Sequence, residues 1–367
     1  MTQPLTVALA GGPMYDPLYE WLERAGPPVE IVIHADHPTL NREVAARLGA
    51  GEGIDVVSTH SKYAPSQAEW LLALDDLIDP EVVARLAPAA VDLCRHDGHL
   101  LSVPRNIDVR VLWFRRDLLE EAPDTWDDVA DAAANGAAFG FPGRESGLFG
   151  TFFELVTGLG GSLYDGDGRP AMDAPGAEAA AARLVELAAH APGDLPTWHY
   201  DQVDAALWDG RVAMAAAWPG GAGPLRSSPL YDRLAPAPYP AGPVRRVSYA
   251  GCHSWAIPRS SKDRDAAAAL VERLCSYDAG AVEAAHGSVC ARTDAFADTE
   301  PVDPTDETRL ALTRQAVEEQ MITYPPHPRF PEVEDAGWRA LHDALAGTVS
   351  ARDAVSRIQA AATAALT

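Results

Sequence analysis

Polar and aromatic side chains cluster in short segments that follow apolar runs, an arrangement suited to holding a small polar molecule. Ser58-Thr59-His60-Ser61-Lys62-Tyr63 follows one such run: His60 and Lys62 supply hydrogen-bond donors, and Ser61 both donates and accepts. The plain alternative is a solvated loop with a helix cap. In Gly11-Gly12-Pro13-Met14-Tyr15, Gly12 lets backbone approach a ligand and Tyr15 offers a ring and a hydroxyl; a tight turn with a half-buried tyrosine explains the same residues. Arg105-Asn106-Ile107-Asp108-Val109-Arg110 places charges in a strand-like run. The Asp108 carboxylate either takes paired donors from adjacent hydroxyls or pairs with Arg105 or Arg110. Trp218 follows an apolar strand at a glycine-rich turn, where its face can stack on a sugar ring, although a core tryptophan fits too. Trp255 lies deeper in its strand and reads as core.

Further candidates are less distinctive. Ser146 fits a helix N-cap, and Glu145 beside it is within reach of a cleft. Gly251 suits close backbone approach, and His253 is either a ligand contact or a hinge histidine with satisfied hydrogen bonds. Arg292 and Arg329 either point inward or serve as surface or structural arginines, the commoner role.

The elements positioning these residues alternate. Leu5 to Ala10, Val29 to His34 and Ile54 to Ser58 read as strands, with helices over Leu18 to Arg24 and Asn41 to Leu48. That order implies an α/β unit with a largely parallel sheet, whose ligands sit beyond the carboxyl ends of the strands. Two later segments, Leu101 to Phe114 and Val247 to Ile257, read as strands broken at Pro104 and Gly251 and crossing between two lobes. A helix-rich block lies between them, and Ala235 to Val244, with four prolines, reads as a loop. Helices are expected over 306–321 and 332–365, separated by the stiff stretch Tyr324 to Pro331.

Bulk properties narrow the class. A chain of 367 residues, 47% hydrophobic and 22% charged, suits two folded lobes rather than disorder. With 53 acidic against 29 basic residues and a net charge of -24, a nucleic-acid partner is set aside. No apolar run is long enough to span a bilayer, and no export signal or lipid-bearing cysteine precedes the first strand. Cys94, Cys252, Cys275 and Cys290 form no CxxC pair; a Cys275–Cys290 disulfide and free buried thiols are both open. No GxSxG, HExxH or Walker motif occurs, the tyrosines are scattered, and the eleven histidines show no ligand spacing. No metal or cofactor is therefore expected.

In order along the chain, several segments resemble extracellular solute-binding proteins of the maltose-binding-protein-like group. These are Ile54 to Leu77, ending Leu-Asp-Asp-Leu; His99 to Pro104 with Val111 to Leu119; Pro123-Asp124-Thr125-Trp126-Asp127; Gly210 to Met214; and Tyr249 to Pro258. The resemblance implies a two-lobed type II periplasmic-binding-protein fold, each lobe a mostly parallel sheet flanked by helices, with ligand in the interlobe cleft. It places lobe 1 at 1–108 and 251–298 and lobe 2 at 109–250 and 299–367, with crossings near 104–112, 247–257 and 293–305. It puts polar contacts at His60 and Lys62 and a hydroxyl-binding carboxylate at Asp108. It further implies hinge closure, a membrane permease of an ABC importer as partner, a monomer, an extracellular or periplasmic location through a removed signal or anchor, and no catalysis. A neutral carbohydrate is the preferred ligand, while Lys62, Arg105 and Arg144 would equally serve an acidic or phosphorylated sugar. A glycosidase using cleft carboxylates is the rival enzyme class.

Overall fold

The apolar runs near the N-terminus form strands because Val, Ile and Leu there are flanked by glycine and proline. A computed structural model describes residues 4–172, 175–324 and 327–366. Strands β1 (Leu5–Ala10), β2 (Val29–Ala35), β3 (Val56–His60) and β4 (Val103–Asp108) come first. They are followed by β5 (Val111–Arg115), β6 (Phe139–Gly140), β7 (Met214–Ala217), β8 (Leu234–Ala237) and β9 (Gly251–Ala256).

One sheet has the order β2-β1-β3-β9-β4 and the other β8-β5-β7-β6. The expected parallel order holds for β2-β1-β3. The crossing strand β9 is antiparallel to both β3 and β4, because the chain returns from the second sheet through it. In the second sheet β5 is antiparallel to β7 and β8, and only β6 and β7 run parallel. Each sheet has its own buried core: Val7, Leu9, Val103 and Trp255 belong to the first, and Trp113, Phe149, Phe152 and Trp198 to the second.

Six helices matter for the site: α1 (Asp16–Ala25), α2 (His37–Gly49), α3 (Glu145–Gly158), α4 (Tyr200–Trp208), α5 (Phe330–Leu345) and α6 (Ala351–Leu366). Asp36 caps α2 by accepting the Thr39 N–H at 3.0 Å. Helices α5 and α6 divide the single helix expected over 332–365. Pro325 and Pro326 of the stiff stretch lie outside the described residues.

Two proline expectations are corrected. Pro104 does not end a strand: it lies inside β4, at the edge of its sheet, opposite a register shift in β9 where no ladder N–H is required. Pro236 likewise sits in β8, the edge strand of the second sheet, so the segment read as a loop begins as a strand. The actual break between β4 and β5 is Val109-Arg110.

Arg110 anchors that crossing. It is 1% exposed and forks onto Glu154 of α3, with Nε to Oε1 at 3.1 Å. Its N–H donates to Ser248 Oγ at 2.7 Å, which ties the first crossing to the approach of the second. Tyr239 Oη and the Tyr249 N–H each donate to Glu154 at 2.7 Å.

Candidate functional site

Between the two halves lies a cavity lined from both. The half built on the first sheet contributes Gly11, Met14 and Tyr15 after β1, Asp36 and His37 at the start of α2, His60 and Lys62 at the end of β3, Asp108 at the end of β4, and His253 in β9. The other half contributes Ser146 in the first turn of α3, His199, Tyr200 and Asp201 at the start of α4, Trp218 after β7, and Tyr249.

Asp108 sits at the centre of the first wall. Its Oδ2 is 3.1 Å from His253 Nε2 and 3.9 Å from His60 Nε2. Tyr15 Oη is 2.9 Å from the same His253 nitrogen. Neither Arg105 nor Arg110, the expected structural partners, pairs with Asp108: they engage Glu283 and Glu154. Burial, then the neighbouring His253, Lys62 and His37, pull His60 well below the usual histidine range. Burial likewise holds His37 well below that range and brings His199 down to about 3, so these three imidazoles are neutral at pH 7. Tyr15 is raised by burial and then by Asp108, and stays a phenol.

Among the described residues, His60, Asp108 and His253 form a trio whose donor atoms lie within 4.8 Å of one another. The histidine spacing that the linear sequence lacks is thus created by the fold. However, His60 Nδ1 accepts the Lys62 backbone N–H at 3.2 Å. That places the neutral ring's proton on Nε2, the nitrogen turned toward Asp108, and a protonated nitrogen does not ligate metal.

Lys62 does not stand free in the cavity. Its Nζ is 2.7 Å from Glu334 Oε1 of α5, and Tyr63 Oη donates to the other carboxylate oxygen at 3.0 Å. Both charged side chains are 5% exposed. This pair joins one half to the other.

On the second wall, Ser146 Oγ and Tyr200 Oη are 3.2 Å apart, and Tyr200 meets Trp218 edge to face with ring centres 5.8 Å apart. Ser146 is not the N-cap: α3 starts at Glu145 with Arg144 as cap residue, leaving the serine hydroxyl free to reach Tyr200. Trp218 also carries the Arg110 guanidinium, 5.1 Å from its ring centre.

The structure brings Tyr15, His60, Lys62, Asp108, Ser146, Trp218 and His253 to this cavity and places the other expected residues elsewhere. Gly11 lines the wall in place of Gly12, whose φ of 133° turns the chain into α1. Ser61 Oγ accepts the Cys252 N–H at 3.2 Å and so pins the loop to β9. Arg105 is buried behind Tyr15, bonded to Glu283 at 2.6 Å and to Tyr19 Oη at 2.7 Å. Glu145 turns to Arg144 at 3.1 Å and to His199 at 3.6 Å. Gly251 packs against His60: a Cβ there would lie 2.2 Å from the ring's Cε1. Arg292 forks onto Asp294 and Arg329 onto Glu332, both outside the cavity. All four cysteines are free and buried, with Cys94 and Cys252 sulfurs 3.8 Å apart.

Asp204 lies one turn beyond Tyr200 and Asp201, 6% exposed, against the Gly221 backbone. Burial first, and then the Asp201 charge, push its carboxyl up to about 8. The unfolded chain titrates this group near pH 4, so the folded state holds an extra proton between about pH 4 and about pH 8. Its stabilising contribution is full below pH 4 and is lost as pH rises toward 8. Asp204→Asn is therefore expected to gain on the parent by on the order of several kcal/mol between pH 5 and pH 8. Melting curves across that range check it, and a constant difference between the two proteins refutes it.

The model of the bacterial extracellular solute-binding protein family matches residues 10–280, and the chain belongs to that family. A probable amino-acid ABC transporter periplasmic-binding protein of Sinorhizobium fredii is 24% identical over 282 residues, covering 72% of this chain and 64% of the relative. The chain thus spans less than two thirds of that relative's length. The maltodextrin-binding protein MdxE of Bacillus subtilis is 24% identical over 286 residues, 72% of this chain and 67% of MdxE. Among solved structures, maltose-bound MalE3 of T. maritima superposes with a TM-score of 0.89 at 24% identity, covering 98% of both chains. An ABC transporter solute-binding protein of Agrobacterium radiobacter in complex with ribitol superposes at 0.86 with 20% identity, covering 99% of this chain and all of that one. These likenesses establish the two-lobed fold. No helix among the described residues is long and apolar enough to cross a membrane.

Proposed function

We propose that this protein is the solute-binding component of an ABC importer that closes over a small carbohydrate and presents it, unchanged, to a membrane permease. The observation that carries the reading is the cavity wall drawn from both halves: carboxylate, imidazole and phenol groups face aromatic rings across the gap. Hydroxyl groups of a sugar suit the former, and its apolar ring face suits the latter. In this reading lobe 1 comprises 1–108 and 251–298 and lobe 2 the remainder, and ligand favours the closed form because only closure brings both walls onto it. The protein acts as a monomer outside the cytoplasm. The separate cores of the two sheets and the Arg110 crossing support the division.

Thermal-shift screening with neutral and charged sugars, followed by scattering with and without the best hit, tests the reading. A rising melting temperature with a shrinking radius of gyration is expected. Flat responses to every compound, or release of product from any of them, would sink it. For that hit, Asp108→Ala and Trp218→Ala are each expected to weaken binding about ten- to hundredfold. Circular dichroism should stay unchanged. Unaltered affinity in both variants removes these residues from the site.

A further inference from the structure

The charge of the ligand can be read from the charges of the cleft. Three carboxylates reach the cavity: Asp36, Asp108 and Asp201. The cations that would serve an anionic ligand are already paired, Lys62 with Glu334, Arg105 with Glu283 and Arg144 with Glu145. Neither arginine lines the cavity. Its His37, His60 and His199 rings are uncharged at pH 7 because the cleft withdraws them from water.

Asp36 and Asp201 come from opposite halves, at the N-terminal ends of α2 and α4. Partial burial, and then the Asp36 charge, raise the Asp201 carboxyl above the usual range, and both carboxylates keep contact with solvent. Like charges meeting across a closing cleft oppose closure, and a cation between them reverses the sign.

Polar atoms left without partners also point to a ligand. Tyr249 and His253 are 4% and 6% exposed, both line the cavity, and Tyr249 Oη and His253 Nδ1 have no hydrogen-bond partner among the described residues. A buried polar atom of this kind is costly unless something bonds to it. Aromatic faces beside carboxylates favour an organic ammonium over a metal ion, and the proton on His60 Nε2 speaks against the metal as well.

We propose that the ligand is a cationic carbohydrate, an amino sugar or amino-substituted polyol, whose ammonium lies among Asp36, Asp108 and Asp201 while its hydroxyls meet Tyr249 and His253. This rests on the carbohydrate reading of the cleft and adds the sign of the charge.

The test is calorimetric titration of the full chain with matched triplets: D-glucosamine, D-glucose and D-glucuronate, and the corresponding galacto and manno sets, with spermidine as a sugar-free cation. The amine of one set is expected to bind at least about tenfold more tightly than its neutral parent, and the uronate most weakly. That preference should shrink as salt rises. The Asp36→Asn, Asp201→Asn double variant keeps a capping side chain at α2 and should bring the amine-to-neutral ratio close to unity. Neutral sugars binding as well as or better than the amines, or tight uronate binding, overturn the inference and leave the carbohydrate reading standing. Binding of spermidine with none of the sugars upholds the charge and removes the carbohydrate reading. Silence across the whole panel rejects both.

Discussion

Alanine at Glu334 is expected to weaken ligand binding by about two to three orders of magnitude while both lobes remain folded. Glu334 belongs to α5, which packs within the second half, whereas Lys62 follows β3 of the first. On the proposed reading, in which the halves open and close, their contact at 2.7 Å, with Tyr63 bonded to the same carboxylate, is made only when the halves are together. Removing the carboxylate leaves the Lys62 ammonium uncompensated in a closed cleft, a penalty of about 3–5 kcal/mol. In the open form the lysine returns to water and loses nothing. The cost thus falls on the closed state alone and appears as lost affinity. Titration of Glu334→Ala with the best ligand, alongside its melting temperature, checks this. Affinity within about threefold of the parent would mean that the pair is not a closing contact.

The second large effect concerns stability. Glu154→Gln is expected to destabilise the protein by about 3–5 kcal/mol. For lobes of this size that lowers the melting temperature by on the order of 10 °C. Glu154 is fully buried and receives the Arg110 fork, the Tyr239 hydroxyl and the Tyr249 N–H. An amide keeps the shape and withdraws the charge, stranding a guanidinium that is 1% exposed. A drop of under about 2 °C would show that the fork adds no net stability, as the low median for exposed ion pairs would suggest.

Much of the framework was legible in the sequence because glycine and proline punctuate it. The strands near Leu5, Val29 and Ile54 and both crossings stand close to where their apolar runs put them. The candidates on strand-following loops, Tyr15, His60, Lys62 and Trp218, were legible for the same reason: the carboxyl end of a strand opens on the cleft. What escaped, Tyr249 apart, came mainly from helix starts. Asp36-His37 and His199-Tyr200-Asp201 form the caps and first residues of α2 and α4, and in α2 they lie ahead of the periodic pattern that marks a helix from Asn41. A first turn buries no repeating stripe, so hydropathy does not reveal it. The signal present was chemical: an aspartate before His37-Pro38 is a cap followed by an early proline. Arg105 was misjudged because its partner, Glu283, lies 178 residues away, and nothing local announces such a pair.

Gly251 stands on β9 directly against the His60 ring. The His60 ring occupies the volume where any other residue's first side-chain carbon would stand. Even a methyl group there would force the imidazole out of its place. The bare glycine on the returning strand is therefore what leaves room for the His60 ring, and a roomier chamber would be reached by trimming that ring.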